Sequence, residues 1–413
     1  MKIPGRFMVA GVMLFALAAS YRGVGVKAAG GAPAGDESFY RVLAPIESGD
    51  LLLFPVVRAS GKSGVPGATP FLTLDEGIKS GQVEVTEAGR VRGLVRPRRA
   101  EPEDRYRWDA TPPERYRGDE VNTLVLVNNS NQPLLLLAGE IVTGGKQDRV
   151  IAKDRIVPAG GDPIDLSVFC IEPGRWTASS ETFGVAAKAS VHSFMVQPTV
   201  RQRAMVAKDQ QQVWDSVHGA ISRMEVVAAP SAIAGESAGM AYPHSMGTTS
   251  YAKAMQDSAV SAKVDEAAAP VMKAREQVLA RLRQEHAVGV VVAVRGEIVW
   301  ADLFADTDLL SRYWTKLVRS YAAESLTAGE THSAPTAADA QRFLDAPSGG
   351  TETSEGDVGV YRYRELSSGG TETFVLESLL PGTGYDVHIS KLKLRAAEHF
   401  IKPPQVYPPQ IYR

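Results

Sequence analysis

The residue types most able to do chemistry lie in the segment Gly139–Arg149 (GEIVTGGKQDR), which directly follows an apolar run. Glycines at a strand end let the backbone approach a ligand closely, and Lys146 and Arg149 could pair with a phosphate or a carboxylate. The segment is not a Walker phosphate loop, because Glu140 replaces the first glycine and Gln147 replaces the magnesium-binding hydroxyl residue. The alternative is a glycine-rich corner in which a buried Glu140 pairs with Lys146 or Arg149.

A second cluster, Phe169–Trp176 (FCIEPGRW), places the single cysteine, Cys170, beside an acid, a base and an aromatic ring. A nucleophilic cysteine needs a lowered pKa and usually a histidine partner. His192 and His218 are available, but the sequence does not bring either of them near Cys170. A free cysteine in a strand is most often a buried small hydrophobe, so both interpretations stay open.

The remaining pattern predicts neither a metal site nor a bound cofactor. The 7 histidines never fall at the short spacings of a metal site, and there is no second cysteine. No Gly-x-Ser-x-Gly nucleophile turn is present. The stretch 23–28 (GVGVKA) resembles part of a dinucleotide-binding glycine pattern, but it lies in a segment that we expect to be removed.

That segment reads as a secretory signal peptide over residues 1–28. Lys2 and Arg6 precede the uncharged run 7–19, and small residues around Ala28 form a cleavage site. The run is short for a bilayer span, which needs about 20 apolar residues, so a retained anchor is the less favoured alternative. We therefore expect an exported protein, periplasmic or secreted, with no transmembrane span and a flexible linker over 29–37.

The composition is that of an ordinary globular protein. It is 44% hydrophobic and 22% charged, with a net charge of −2. A near-neutral chain without clustered Lys and Arg predicts no nucleic-acid partner. Because Cys170 is alone, no intramolecular disulfide can form, and the core must supply the stability.

The pattern of apolar residues predicts a single α+β domain over 38–395, with mixed or antiparallel sheets and packed amphipathic helices. A capping box at Thr73 and Glu76 predicts a helix over 74–80. Strands are expected at 51–57, 82–86, 148–157, 164–171, 288–294, 298–304, 358–366, 373–380 and 385–394. Two further apolar runs, 123–127 and 133–137, suggest a hairpin. Helices are expected at 199–226, at 264–286 and from 306 onward.

Several stretches carry weaker signals. The segment 96–119 is rich in Arg, Pro and acids and predicts a solvated insert, and the stretches 229–262 and 328–357 are loose. Ser348–Thr353 (SGGTET) recurs as Ser368–Thr373, which indicates chance or a loop duplication and not a solenoid. The tail 396–413 is rich in Pro and Tyr and favours an extended conformation.

The motifs PLLLLAGEIVTGGKQDR, VFCIEPGRW, QQQVWDSV, VGVVVAVRGEIVWADLF and YWTKLVRSYAAESL occur in this order. Together they resemble a bacterial domain family of unknown function named for its association with ADP-ribosylglycohydrolases and rhodanese-phosphatases. The resemblance covers about 38–326, with a C-terminal part near 385–390, and implies a link to NAD-derived metabolism by gene association only. Its most distinctive motifs match Glu140, Gly145, Lys146, Gln147, Arg149, Cys170, Arg175 and Trp176.

Three functional hypotheses follow. The leading one is binding of an anionic small molecule, such as a nucleotide or ADP-ribose, by Gly145, Lys146, Gln147 and Arg149, together with Arg175 and Trp176. The second is a hydrolase in which Glu140 is a general acid or base, or Cys170 a nucleophile. The third is a structural or partner-binding module of the cell envelope that uses the C-terminal tail as a contact.

Overall fold

Eighteen strands and eight α-helices build the part of the chain that the computed structural model describes. The described residues are 39–59, 71–87, 123–173, 180, 182–185, 194–229, 246–273, 275–329 and 333–394. The predicted signal peptide, linker, insert at 96–119 and tail at 396–413 lie outside these residues, as do Arg175 and Trp176.

The elements follow one another along the chain with strands first, helices in the middle and strands again at the end. The strands are β1 (Tyr40–Val42), β2 (Ile46–Ser48), β3 (Leu51–Arg58), β4 (Leu72–Thr73), β5 (Val83–Glu87), β6 (Thr123–Asn128), β7 (Leu134–Leu136), β8 (Ile141–Gly144), β9 (Arg149–Ile151), β10 (Arg155–Val157), β11 (Ile164–Cys170), β12 (Phe183–Val185), β13 (Ala287–Val294), β14 (Glu297–Phe304), β15 (Thr351–Asp357), β16 (Tyr361–Ser368), β17 (Thr371–Ser378) and β18 (Asp386–Lys393). The helices are α1 (Leu74–Lys79), α2 (Pro198–Gln202), α3 (Gln210–Ala228), α4 (Tyr251–Gln256), α5 (Ser258–Lys273), α6 (Arg275–Gln284), α7 (Thr307–Thr327) and α8 (Ala337–Asp345). A π-helical turn, Arg203–Ala207, continues α2.

Three sheets contain these strands. The large sheet has nine strands in the order β1-β3-β13-β14-β18-β17-β16-β15, with β2 also paired to β3. A six-stranded sheet has the order β12-β8-β9-β11-β6-β5, and a three-stranded sheet has the order β10-β7-β4. All pairs are antiparallel except β4 with β7. The predicted α+β class with mixed and antiparallel sheets is confirmed.

Local sequence signals explain several boundaries. The Thr73 side chain accepts from the Glu76 backbone N–H while the Glu76 carboxylate accepts from the Thr73 N–H, so the predicted capping box begins α1. Between β13 and β14, Arg295 and Gly296 have φ of 47° and 83°, the geometry of a tight two-residue hairpin turn. The predicted helix from 306 is α7, and its aromatic residues are buried in the core.

Other predictions are wrong in their pairing or extent. The runs around 123–127 and 133–137 form β6 and β7, but these strands lie in different sheets and make no hairpin. The single helix expected over 264–286 is divided between α5 and α6. The stretches expected to be loose contain regular elements: α4 and the start of α5 in the first, α8 and β15 in the second.

The helices pack against one face of the large sheet. Val290 and Val292 of β13, with Trp300 of β14, contact the apolar stripe of α7 in the main core. On the opposite face, α8 covers a smaller cluster that includes Phe54, Val291 and Leu303. A third core joins the six-stranded and three-stranded sheets. Residues near the junction of these layers are therefore shielded from solvent.

Candidate functional site

The glycine-rich segment between β8 and β9 binds carboxylates of the protein itself. The backbone N–H of Gly144 donates to Asp148 Oδ1 at 3.2 Å. The N–H of Lys146 donates to Glu87 Oε1 at 3.0 Å, and the N–H of Asp148 donates to Glu172 Oε2 at 3.1 Å. An added anion could reach these donors only by displacing one of the carboxylates.

Two sequence-predicted clusters meet at this segment. Arg149 of β9 lies directly opposite Cys170 of β11 in the antiparallel ladder. The Gln147 side-chain amide donates to the Glu172 carbonyl at 3.3 Å, and the Glu172 carboxylate pairs with Lys253 at 3.0 Å. The structure thus brings together Gln147, Arg149 and Cys170. Arg149 is only 2% exposed and Lys146 is half-buried.

Gly145 allows a test of this packing. Its φ is +50°, and a Cβ there would lie 2.3 Å from Phe183 Cζ and 2.6 Å from Glu87 Oε1. Gly160 has a similar φ of +55° with nothing within 4 Å of a Cβ, so it is a matched control. We expect Gly145→Ala to lower the free energy of unfolding by about 1–3 kcal/mol more than Gly160→Ala, measured by urea denaturation. Equal losses in the two variants would contradict this packing.

Cys170 has the environment of an unreactive thiol. Its side chain is fully buried, and burial raises the pKa of the thiol. The Glu172 backbone N–H points at its Sγ from 3.5 Å, and its own N–H donates to Gln210 Oε1 at 2.9 Å. Since the thiolate is the nucleophile, a raised pKa works against covalent catalysis.

We therefore expect the Cys170 thiol to react with an aromatic disulfide reagent only after unfolding. The native protein should release no chromophore over an interval in which the urea-unfolded chain reacts completely. The Cys170→Ala variant supplies the baseline, because Cys170 is the single cysteine. Rapid labelling of the native protein would mean that the thiol is accessible after all.

Glu140 lies apart from this cluster. Its side chain is 0% exposed, accepts from the Leu137 backbone N–H at 2.8 Å and pairs with Lys316 Nζ at 2.5 Å. The expected pairing of Glu140 with Lys146 or Arg149 is wrong, because Lys316 of α7 is the residue that pairs with Glu140. Burial acts to lower the pKa of Lys316, but the carboxylates of Asp75 and Glu140 outweigh it and raise that pKa, so the ammonium stays charged.

A second buried network lies next to Glu140 and was not found from the sequence. Arg201 Nη1 donates to Asp302 Oδ2 at 2.9 Å. His388 lies between two carboxylates, with Nδ1 2.6 Å from Asp154 Oδ2 and Nε2 3.2 Å from Asp302 Oδ1. Each of these four side chains is at most 1% exposed. They come from α2, β14, β18 and the turn between β9 and β10, so the network joins the helices to two sheets.

Further hydrogen bonds extend the network. Ser390 Oγ accepts from Arg201 Nη2 at 3.0 Å and donates to Asp302 Oδ1 at 2.8 Å, and the Tyr321 hydroxyl also donates to Asp302. Burial opposes charge on both Asp302 and His388. Arg201 and His388 nevertheless hold the pKa of Asp302 far below its usual range, and the carboxylates raise the pKa of His388 to about 9. Two cations therefore face two carboxylates at neutral pH.

The turn Leu137–Glu140 connects the two buried clusters. The Ala138 backbone N–H donates to Asp154 Oδ1 at 2.7 Å, one residue after the N–H that binds Glu140. Gly139 has a φ of +94°, and a Cβ there would lie 3.0 Å from Arg201 Cδ. A side chain at this point would therefore combine a disfavoured φ with a close contact to the Arg201 side chain.

A weak sequence signal could have identified the network. Asp302 interrupts the apolar run IVWADLF of β14, and His388 lies between Val387 and Ile389 in β18. A charged residue in a buried strand needs a partner. Nothing in the sequence identifies Arg201 or Asp154 as those partners, because 101 residues separate Arg201 from Asp302 and 234 separate Asp154 from His388.

Ion pairs and hydrogen bonds within the protein surround these buried charges. A cavity of about 320 Å³ opens elsewhere, lined by Gly49, Asp50, Leu52, Arg295, Gly296, Ser333, Ala334 and Pro335, and it includes none of the candidate residues. Among the described residues, no group of three or more His, Cys, Asp or Glu side chains could hold a metal ion. No described helix combines the length and apolarity needed to cross a bilayer.

These features define a class of protein: an α+β domain of three sheets whose layers are joined by buried ion pairs. The family model described as the ARG and Rhodanese-Phosphatase-superfamily-associated Protein domain (ARPP-1) matches residues 39–392, so the chain belongs to this family. The resemblance inferred from the motifs is confirmed. Searches of curated proteins and of solved structures found no significant match.

Proposed function

We propose that this domain binds a partner polypeptide by strand addition at β15, the last strand of the large sheet. The observation that carries the proposal is the contrast between the two ends of that sheet. In the described part of the chain, β15 pairs with β16 alone, and its first five residues are exposed. An open edge presents unpaired backbone donors and acceptors that a second extended chain can use.

At the opposite end of the sheet, β1 is capped. Gln341 of α8 accepts from the Val42 N–H at 2.8 Å and donates to the Tyr40 carbonyl at 3.0 Å. One side-chain amide thus occupies the outward backbone groups of β1 as a neighbouring strand would. Among the described residues, Glu352 and Ser354 of β15 have no such cap, and this contrast supports a specific role for the β15 edge.

The backbone groups that β15 offers follow from the turn between β16 and β17. Gly369 and Gly370 form a two-residue turn with positive φ, which makes Ser368 and Thr371 a hydrogen-bonded pair. Hydrogen-bonded pairs alternate with non-hydrogen-bonded pairs along antiparallel strands, so successive residues of β16 direct their backbone groups to β17 and to β15 in turn. By this alternation, Thr351 and Thr353 of β15 direct their N–H and C=O groups to β16. Glu352 and Ser354 direct theirs to the open side.

An apolar turn adjoins this edge. Val358, between β15 and β16, is 80% exposed. Leu379 is 38% exposed, and its backbone N–H donates to the Val360 carbonyl at 2.8 Å in the same region. Exposed apolar side chains beside unpaired backbone groups offer a partner both contact area and hydrogen bonds.

The proposal fits the buried residues better than hydrolysis does. A general acid or nucleophile must reach its substrate within hydrogen-bond distance. Glu140 is paired with Lys316, and Cys170 is buried with a raised pKa. A binding role at the surface requires neither group to be accessible.

A selection experiment tests strand addition. Extended peptides are selected from a random display library on the full chain, and their affinities are then compared between Ser354→Pro and Ser354→Thr. Proline removes the outward N–H without touching the bonds to β16, whereas threonine keeps it. We expect the proline variant to bind at least about tenfold more weakly and the threonine variant to match the wild type. Selected peptides that bind Ser354→Pro as well as the wild type would refute the proposal.

Binding of an anionic small molecule is a second candidate. Its support is the meeting of the two motifs at Arg149 and Cys170, beside a buried Gln147 Oε1 that has no donor among the described residues. A ligand such as ADP-ribose has hydroxyl groups next to a phosphate, so a hydroxyl would donate to Gln147 Oε1 while the phosphate pairs with Arg149. Calorimetric titration of ADP-ribose should give a binding heat that Lys146→Ala weakens; equal affinity in both proteins would reject this candidate.

We also propose that the domain acts outside the cytoplasm. The support is the N-terminal sequence alone: basic residues, the apolar run 7–19 and the small-residue site near Ala28. N-terminal sequencing of the protein purified from its native cells should begin near residue 29. Recovery of the intact N-terminus from the soluble cytoplasmic fraction would contradict export.

A further inference from the structure

The repeated hexapeptide SGGTET begins two strands of the same hairpin system. Its first copy, Ser348–Thr353, leads into β15, and its second, Ser368–Thr373, leads into β17. Both strands pair antiparallel with β16, one on each side, so they run in the same direction. The second copy has neighbours on both edges, because β17 also pairs with β18.

The two copies are turned over relative to each other. Thr353 lies opposite Glu365, which lies opposite Phe374, so Thr353 shares a face with Phe374 and not with the equivalent Thr373. A strand rotated by half a turn about its own axis exchanges its two edges as well as its two faces. The residues whose backbone groups face β18 in the second copy are therefore equivalent to the residues whose backbone groups face the open side in the first copy.

We infer that β15 receives an antiparallel strand with the alternating lysine and apolar pattern of β18. This inference rests on the proposed strand addition and names its partner chemistry. In β18, Lys393 lies opposite Thr371, Leu392 opposite Glu372 and Lys391 opposite Thr373. The corresponding open positions on β15 are Thr351, Glu352 and Thr353.

Three carboxylates lie near the open positions of β15. Lysines opposite Thr351 and Thr353 would lie on the face that carries Glu355 and Glu365. These two carboxylates already pair with Lys153 and Lys208, so a partner lysine would share them in exposed ion pairs. Glu352, on the other face, is exposed.

The copies differ after the hexapeptide, and this difference suits a reversible contact. The second copy continues with Phe374-Val375-Leu376, which is buried in the sheet, whereas the first continues with Ser354-Glu355-Gly356. A strand on β15 would therefore gain backbone hydrogen bonds and ion pairs but little apolar burial. Such a partner can dissociate without unfolding the domain.

A labelled peptide provides the test. The probe has the sequence of residues 386–394, DVHISKLKL, and its fluorescence anisotropy is followed on addition of the full-length chain. A comparison peptide replaces both lysines with glutamate. We expect the basic peptide to bind the wild type and Ser354→Thr, and to bind Ser354→Pro at least about tenfold more weakly. The acidic peptide should bind all three more weakly than the basic peptide binds the wild type.

The outcomes separate the two proposals. Equal binding of the basic and acidic peptides, lost in Ser354→Pro, would overturn the lysine preference while strand addition stands. If library peptides bind at β15 but the basic peptide does not bind the wild type, the lysine preference is overturned as well. If the basic peptide binds Ser354→Pro as well as it binds the wild type, the peptide binds elsewhere and the inference is overturned. If the library peptides also bind Ser354→Pro as well as the wild type, the proposed function is refuted too.

Discussion

Replacing Arg201 with methionine should lower the free energy of unfolding by about 3–5 kcal/mol. Arg201 is the cation that pairs directly with Asp302, and both side chains are at most 1% exposed. Methionine has a similar length but no charge, so Asp302 would keep only His388, Ser390 and Tyr321 as partners. An incompletely compensated buried carboxylate is costly because water cannot solvate it. Urea denaturation monitored by tryptophan fluorescence measures the loss.

The matched control is Arg362→Met on the surface of β16. Arg362 also pairs with a carboxylate, that of Glu377, but half of its side chain is exposed. Exposed ion pairs contribute about 0–1 kcal/mol, so this variant should remain close to the wild type. If the two substitutions cost the same, the Arg201 network does not stabilise the fold in the way described.

The free energy of unfolding should also fall as the pH rises from 6.5 to 9, by up to about 3 kcal/mol from His388 alone. The folded pKa of His388 is about 9, above the ordinary value of 6.5, so the folded state binds more protons between these values. The contribution is complete below 6.5 and is lost as the pH passes through 9. The charged and titratable groups facing the ring or its carboxylates are Asp154, Asp302, Arg201, Tyr321 and Tyr363.

His388→Gln is the informative comparison, because it removes this titration and leaves the others. Burial lowers the pKa of Lys391 to about 8, so this residue makes the free energy of unfolding rise with pH in the alkaline range. It does so equally in the wild type and in His388→Gln, and its contribution cancels in the difference between their curves. His218→Gln is the control, since His218 is exposed on α3. We expect the wild type and His218→Gln to lose stability more steeply with pH than His388→Gln does. Parallel curves for all three would show that His388 is not charged in the folded protein.

Local features of the fold were predictable wherever the signal lies within a few residues. The capping box at Thr73 located α1, and the two apolar runs on either side of Arg295–Gly296 located β13 and β14. The partners of β6 and β7 were not predictable, because runs such as TLVLV and PLLLL are apolar on both faces. Without alternation, nothing in such a strand specifies its neighbour or its sheet.

The candidate site was predictable to a similar depth. The two motifs around Arg149 and Cys170 meet in the structure, and the sequence had placed each motif at the end of a strand. The partner of Glu140 was not predictable, since Lys316 is 176 residues away on α7. The open edge was missed for a different reason: β15 is hydrophilic throughout, and its position at the end of a sheet depends on pairings made by eight other strands.

The Gln341 cap on β1 also limits what the large sheet can build. A sheet with two open edges can add chains at both ends and grow into a filament of joined molecules. Here the amide of Gln341 occupies the outward groups of Tyr40 and Val42 in β1. Head-to-tail growth, in which β15 of one molecule pairs with β1 of the next, would have to displace this amide.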